Sequence, residues 1–195
     1  MASHLMQSLV TAGIGMYVES KMSPTIFAPP PEGQIISPLF FATPAILLGV
    51  GFFTLVHGTK VGSARRKYME LAKKDGEANA EERYSYPNLY VDGNTKHARA
   101  FNAVQRSHQH ILETFPSAIL GGCLGATQFP LCAACATLTY AIGRIVFSTS
   151  YANSEGDATK RYSSPLAKYQ WLGLLGNFIL GFAAAVKILM TVKLA

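Results

Sequence analysis

Apolar positions along the chain come in long runs rather than in short alternations. Residues 33–59 carry no formal charge, and the stretch 39–56 is strongly apolar. A membrane-spanning helix needs about 20 mostly apolar residues, so this run predicts a first span. Pro44 stands near its outer end, where a proline does least damage. Residues 114–143 are again free of formal charge. That run is too long for one span, and Gly121, Gly122, Gly125 and Pro130 interrupt it. It predicts the end of a second helix that begins near 96–101, a tight turn near 125–130, and a third helix over about 130–151. A fourth follows over 169–186 and continues past Lys187. Tyr169 and Trp171 at its start suit an interfacial aromatic belt.

Two polar loops separate these spans. Basic residues gather after span one (Lys60, Arg65, Arg66, Lys67) and after span three (Lys160, Arg161, Lys168). The two loops lie on one side of the membrane, and the positive-inside rule makes that side the cytosol or its equivalent. Both termini are then expected on the opposite side. Residues 69–96 mix acids with bases and read as a solvated, partly helical loop. Residues 1–37 stand apart. Their apolar stretch 4–18 lacks the basic start of a signal peptide, and Pro29, Pro30 and Pro31 force an extended link. We read 1–37 as an N-terminal extension that packs on the membrane surface or on a partner. Residues 38–195 are read as a single four-helix membrane domain.

Composition narrows the class. Charged residues are 14% and hydrophobic residues 49%, with a mean hydropathy of +0.20. Soluble domains carry about 25% charged residues, so an ordinary soluble globule is excluded, and so is disorder. The net charge of +6 comes from residues that flank spans, so nucleic acid is not a sensible partner. Three cysteines make no disulfide framework. Cys132 and Cys135 form a C-x-x-C inside an apolar run and read as small buried hydrophobes.

The polar residues inside the spans carry the chemistry. On the second helix Arg99, Asn102, Arg106, Gln109, His110 and Glu113 recur every three or four residues and share one face. Ionised groups at membrane depth are costly and face a cavity or a partner helix. The stripe therefore marks an internal polar site, a subunit interface, or a structural Arg106–Glu113 ion pair. On the third helix Tyr140, Arg144, Phe147, Ser148 and Tyr151 share a face, as an anion-site lining or as an arginine snorkelling among interfacial tyrosines. Arg65 and Arg66 end the first helix on the same membrane side. Arginines from three helices at one membrane boundary suit a small anion with carboxylates, which guanidinium groups hold bidentately. Glu113 could accept from an amine. Haem held by His57 with His108 or His110 is disfavoured, since His108 and His110 cannot share a helical face. A metal site of His97, His108 and His110 fares no better.

The run Phe101-Asn102-Ala103-Val104-Gln105-Arg106-Ser107-His108-Gln109-His110-Ile111-Leu112-Glu113-Thr114-Phe115-Pro116 resembles the MAPEG family, the membrane-associated proteins of eicosanoid and glutathione metabolism. The pattern F-N-x-x-Q-R-A-H-Q-N-x-x-E-x-x-P of its microsomal glutathione S-transferase 3 type is similar. Ser63-Ala64-Arg65-Arg66-Lys67-Tyr68, Tyr86-Pro87-Asn88-Leu89-Tyr90 and Gly143-Arg144-Ile145-Val146-Phe147 with Tyr151 add to the likeness, which covers about 39–194. The resemblance implies an all-α, four-transmembrane-helix bundle of MAPEG type, here with an N-terminal extension. It also implies a homotrimer that binds glutathione between subunits and acts as a glutathione transferase or peroxidase on lipophilic electrophiles or lipid hydroperoxides. It implies that Arg65, Arg106, His110, Glu113 and Tyr151 bind glutathione, with Arg161 stabilising the thiolate and Arg66 acting on the lipid side. No metal is expected. Three departures stand out. His110 replaces an asparagine, Phe147 replaces a tyrosine, and the segment between Tyr151 and Arg161 is about two residues longer. The first loop is longer as well, by roughly a dozen residues.

These departures motivate a second expectation, a non-catalytic accessory subunit of a larger respiratory or photosynthetic membrane complex that reuses the same fold. Either reading places the chain in an endoplasmic reticulum, mitochondrial or plastid membrane.

Overall fold

The structure is a computed structural model, and it describes residues 2–26 and 37–191. Helix is the only regular secondary structure among the described residues. In chain order the helices are α1 (Ala2–Ile26), α2 (Ala42–Lys74), α3 (Ala80–Tyr84), α4 (Lys96–Ala126), α5 (Pro130–Ala152) and α6 (Tyr169–Thr191). Helices α2, α4, α5 and α6 are those of a four-helix membrane bundle. Three segments, Pro38–Lys74, Pro130–Ala152 and Pro165–Met190, are long and apolar enough to cross a bilayer by themselves. Helix α4 is long enough too, but its polar stripe lowers its hydropathy.

Local chemistry sets the helix ends. A 3₁₀ turn over Pro38–Phe41 leads into α2, with the Ser37 hydroxyl accepting from the Leu39 amide at 3.3 Å and a proline in the first turn. The 33 residues of α2 span roughly 50 Å at 1.5 Å per residue, well beyond a hydrocarbon core of about 30 Å. The basic flank through Lys74 is therefore helical, where the sequence suggested that a loop begins near residue 69. Gly121, Gly122 and Gly125 remain inside α4, which ends at Ala126. The tight turn falls where expected, between Ala126 and Pro130.

The chain divides into two units, with three helices passing from one into the other. The first holds α1, α2 as far as Val50, α4 from Thr114, α5 as far as Gly143, and α6. Its core joins Leu47, Val50, Ala118, Tyr140, Ala141 and Leu174, with Phe115, Cys123 and Trp171 packed against them. A second cluster joins Ala12, Ala126, Ala133 and Leu180. Glycines let backbones touch, as small residues do in membrane bundles. A side chain at Gly121 would sit 2.8 Å from the Asn177 carbonyl oxygen, and one at Gly173 would strike the Tyr140 backbone nitrogen. Buried hydroxyls bond across helices, Thr114 with Tyr140 at 3.0 Å and Thr137 to Asn177 at 3.1 Å.

Helix α1 packs along α6 and α5. The Ser8 hydroxyl donates to the Leu172 carbonyl at 3.4 Å. At the other end the Glu19 carboxylate accepts the amides of Leu131 (2.8 Å) and Cys132 (3.0 Å), in the first turn of α5. These are orphan donors of a helix start, where negative charge is favoured. Helix α1 therefore runs parallel to α6, and its amino end lies level with the start of α6. This corrects the expectation that both termini lie opposite the polar loops, because the start of α6 is where the 153–168 loop ends.

The second unit holds α2 from Gly51, α3, α4 as far as Glu113, and residues 144–168. Both polar loops belong to it. Its core joins Ala72, Ala80, Tyr84, Val91, Ala98 and Phe101. Arg83 pairs with Glu77 at 3.1 Å and also donates to the Asp92 carbonyl. Thr95 donates to the same Glu77 carboxylate at 3.0 Å.

Candidate functional site

Arg65, Arg66, Arg106, His110, Glu113, Tyr151 and Arg161 all lie in the second unit, whereas Tyr140 lies in the first. The first turns of α4 place Arg99, Asn102 and Arg106 on successive turns of one face, as the three- and four-residue spacing requires. With Tyr90, Tyr151 and Gly156 they line a polar cleft of about 360 Å³, within the usual size of small-ligand sites. Asn102 fixes one wall. Its amide accepts the Val91 N–H and donates to the Val91 carbonyl, both at 2.9 Å, holding the segment that carries Tyr90. Gly156 fixes another. Its φ of +90° favours glycine, and a side chain there would meet Arg99 Cβ at 2.8 Å.

Arg106 pairs with Glu113, two helical turns on, and both side chains keep substantial exposure at 38% and 50%. The guanidinium has five donors, so this pair leaves it the capacity to take a further carboxylate. Tyr90 donates its hydroxyl to Gln109.

His110 and Tyr151 belong to a neighbouring stack. Arg144 is fully buried, and its guanidinium lies 2.6 Å from His110 Nδ1 and 5.1 Å from the Phe147 ring centre. Phe147, 2% exposed, packs against His110 (5.1 Å between centroids), Tyr162 (5.2 Å) and Tyr151 (5.9 Å). Arg161 is exposed, and its guanidinium lies 6.0 Å from the Tyr151 ring centre and 5.6 Å from that of Tyr162. Tyr151 thus joins the cleft to the stack. The snorkelling reading of Arg144 is overturned, because its head group is inside the protein.

Arg65 and Arg66 part company. Arg65 is 6% exposed, sits 4.6 Å from the ring centres of both Tyr86 and Phe101, and donates to the Tyr84 carbonyl at 3.0 Å. Arg66, the next residue on α2, is exposed. Neither lines the cleft. Burial pushes the Tyr84 phenol up to about 12, so it stays protonated beside this cation. In the loop after α5, hydrogen bonds from Thr159 hold the Asp157 carboxyl below its ordinary value.

Two residues belong to the site beyond those assigned from the sequence. Arg99 adds a second guanidinium to the cleft, and the stripe on α4 already contained the signal. Arg144 organises His110, and its place on the face of Tyr140 and Phe147 was the available clue. The histidines further along make a different arrangement, with His57 Nε2 and Ser107 Oγ 2.8 Å apart and the His57 and His108 ring centres separated by 6.1 Å.

Of the residues that the resemblance implied, Arg106 and Tyr151 line the cleft and Glu113 pairs with Arg106, whereas Arg65, Arg66, His110 and Arg161 do not line it. The sequence model of the MAPEG family matches residues 42–185, which takes in α2, α4, α5, most of α6 and both polar loops. At the level of the family this means a membrane protein of glutathione-related transferase or peroxidase type. The chain belongs to the MAPEG family.

Proposed function

We propose that the protein is a membrane-bound glutathione transferase or peroxidase acting on lipophilic electrophiles or lipid hydroperoxides. The observation that supports it is the cleft in which Arg99 and Arg106 stand beside Tyr151, with Glu113 on Arg106. Glutathione is a small peptide with two carboxylates and an amine, and the donors present fit it. Arg99 and Arg106 take carboxylates bidentately, and Glu113 accepts from an ammonium group. Bound there, glutathione supplies a thiol as nucleophile or reductant. Tyr151 lines the cleft, and its hydroxyl orients the thiol end. Arg161, next to Tyr151, supplies the positive charge that keeps a thiol ionised. Arg66, exposed on α2, serves the lipophilic partner. Arg65 and His110 act from behind, Arg65 by holding Tyr86 and His110 by its bond with Arg144. The working form is a homotrimer in an endoplasmic reticulum or mitochondrial membrane.

Calorimetry of glutathione binding to the detergent-solubilised protein tests this. Arg106→Ala removes charge-assisted hydrogen bonds of about 1.5–3 kcal/mol, so affinity falls by roughly tenfold or more. Unchanged affinity in Arg106→Ala sinks the assignment.

A second reading rests on a different observation. Arg65 is committed to two rings and a carbonyl, and His110 to Arg144. In an accessory subunit of a larger membrane complex these contacts would serve rigidity alone. That reading requires wild-type protein that binds no glutathione and migrates with many partner chains.

A further inference from the structure

Within the first unit, α1, α5 and α6 line an open-sided cavity of about 280 Å³. It is larger than the roughly 150 Å³ engineered cavity that stays dry and takes up benzene. Small residues make the room, namely Ala12 and Gly15 on α1, Cys132 and Ala136 on α5, and Gly173 and Gly176 on α6. The lining is almost wholly apolar. Its few polar side chains are largely committed elsewhere. Ser8 donates to the Leu172 carbonyl, Thr139 to the Cys135 carbonyl at 2.8 Å, and Glu19 is held by two amides of α5. A head group would find little here to bond with, whereas a hydrocarbon chain needs nothing of the kind.

The surroundings say what reaches the cavity. Two of its walls, α5 and α6, are apolar enough to span a bilayer. The third wall, α1, turns Leu5, Met6, Leu9, Val10, Ile14 and Tyr17 outward, all exposed. A helix docked on spanning helices with an apolar outer face lies in hydrocarbon. The medium at the mouth of the cavity is therefore acyl chains, and an apolar void beside them loses dispersion contacts unless one enters.

We propose that this cavity is a binding site for one acyl chain of a bilayer phospholipid, clamped between α1 and the α5–α6 pair. Helix α1 precedes the residues matched to the family, so the site depends on this chain's own N-terminal helix. It is independent of the polar cleft and does not rest on the proposed activity.

The test uses the full chain in phosphatidylcholine vesicles that contain a trace of phosphatidylcholine with a mid-chain diazirine. After photolysis the adducts are mapped by peptide mass spectrometry. Adducts should concentrate on residues 131–139 and 172–180 over the freely exposed Leu48 and Phe182, which are both 75% exposed. Two variants fill the cavity from different walls, Thr139→Phe from α5 and Gly176→Leu from α6. Either should lower the cavity adducts roughly tenfold, about 1.4 kcal/mol of lost binding, and leave labelling of Leu48 unchanged. Equal labelling of cavity and outer face overturns the proposal, as does labelling that neither variant changes. Labelling of the cavity by a diazirine fatty acid but not by the phospholipid overturns it as well.

Discussion

At the residue scale, the loops are fastened by a few polar contacts, and one of them titrates. His97 Nε2 and Asp75 Oδ2 lie 2.7 Å apart, tying the end of α2 to the start of α4. The bond to His97 holds the Asp75 carboxyl below its ordinary value. A carboxylate depressed in this way contributes stability above its unfolded value, and the contribution disappears as pH falls through the folded one. Resistance of the 75–95 loop to limited proteolysis should therefore weaken as pH drops below about 4. In Asp75→Asn the wild-type advantage at neutral pH is absent, and the acid-side loss is correspondingly smaller. Identical pH profiles for the two proteins would remove Asp75 from this account. The stripe on α4 shows how residue identity and residue role separate. Spacing alone put Arg99, Asn102, Arg106, His110 and Glu113 on one face. What each does depends on neighbours from other segments, Val91 for Asn102 and Arg144 for His110.

At the element scale, packing in the first unit relies on backbone approach more than on side-chain volume. Gly173 lies against the Tyr140 backbone and Gly143 against that of Gln170. A methyl at Gly173 cannot be absorbed by a rotamer change, because the obstacle is main chain. Gly173→Ala should then lower thermal stability in detergent by about 1–3 kcal/mol, the usual cost of overpacking. Gly49 in α2 has nothing within 4 Å of where a side chain would start. Gly49→Ala should be neutral or slightly stabilising, by up to about 1 kcal/mol of helix propensity. A scan in which Gly49→Ala is the more damaging of the two would refute the close α5–α6 contact. The sequence marked Gly121, Gly122 and Gly125 as interruptions of a helix. They are instead its contact face, since a glycine inside an apolar run serves as breaker or as spacer depending on whether another helix lies beside it.

On the scale of the whole molecule, α1 alters the topology that the charge pattern suggested. Its amino end is level with the start of α6, and Glu19 reaches the start of α5. An epitope tag at the amino terminus should be cleaved by protease from the same membrane side as a tag in the 153–168 loop, and a carboxy-terminal tag from the other. Amino- and carboxy-terminal tags that are cleaved from one side together would refute the parallel run of α1 and α6. The positive-inside rule had little to act on here, because Lys21 is the only Lys or Arg among residues 2–26. Only contacts with α5 and α6 orient that helix.

Much was legible from the sequence because a membrane reduces the choices. Long uncharged runs must be helices there, since hydrocarbon satisfies no backbone group. The existence and approximate bounds of the four bundle helices, the turn before Pro130, and the polar face of α4 all follow from that one constraint. So did the family, through a run of residues whose types and spacing were already in view. Tertiary structure alone decided which arginines share the cleft and which are locked between rings. It also decided where α1 docks and what space it lines. Those outcomes depend on segments far apart in sequence, Arg65 with Tyr84, His110 with Arg144 and Glu19 with Leu131. Local periodicity records which face of a helix is polar, but the partner of each group on that face is chosen by packing.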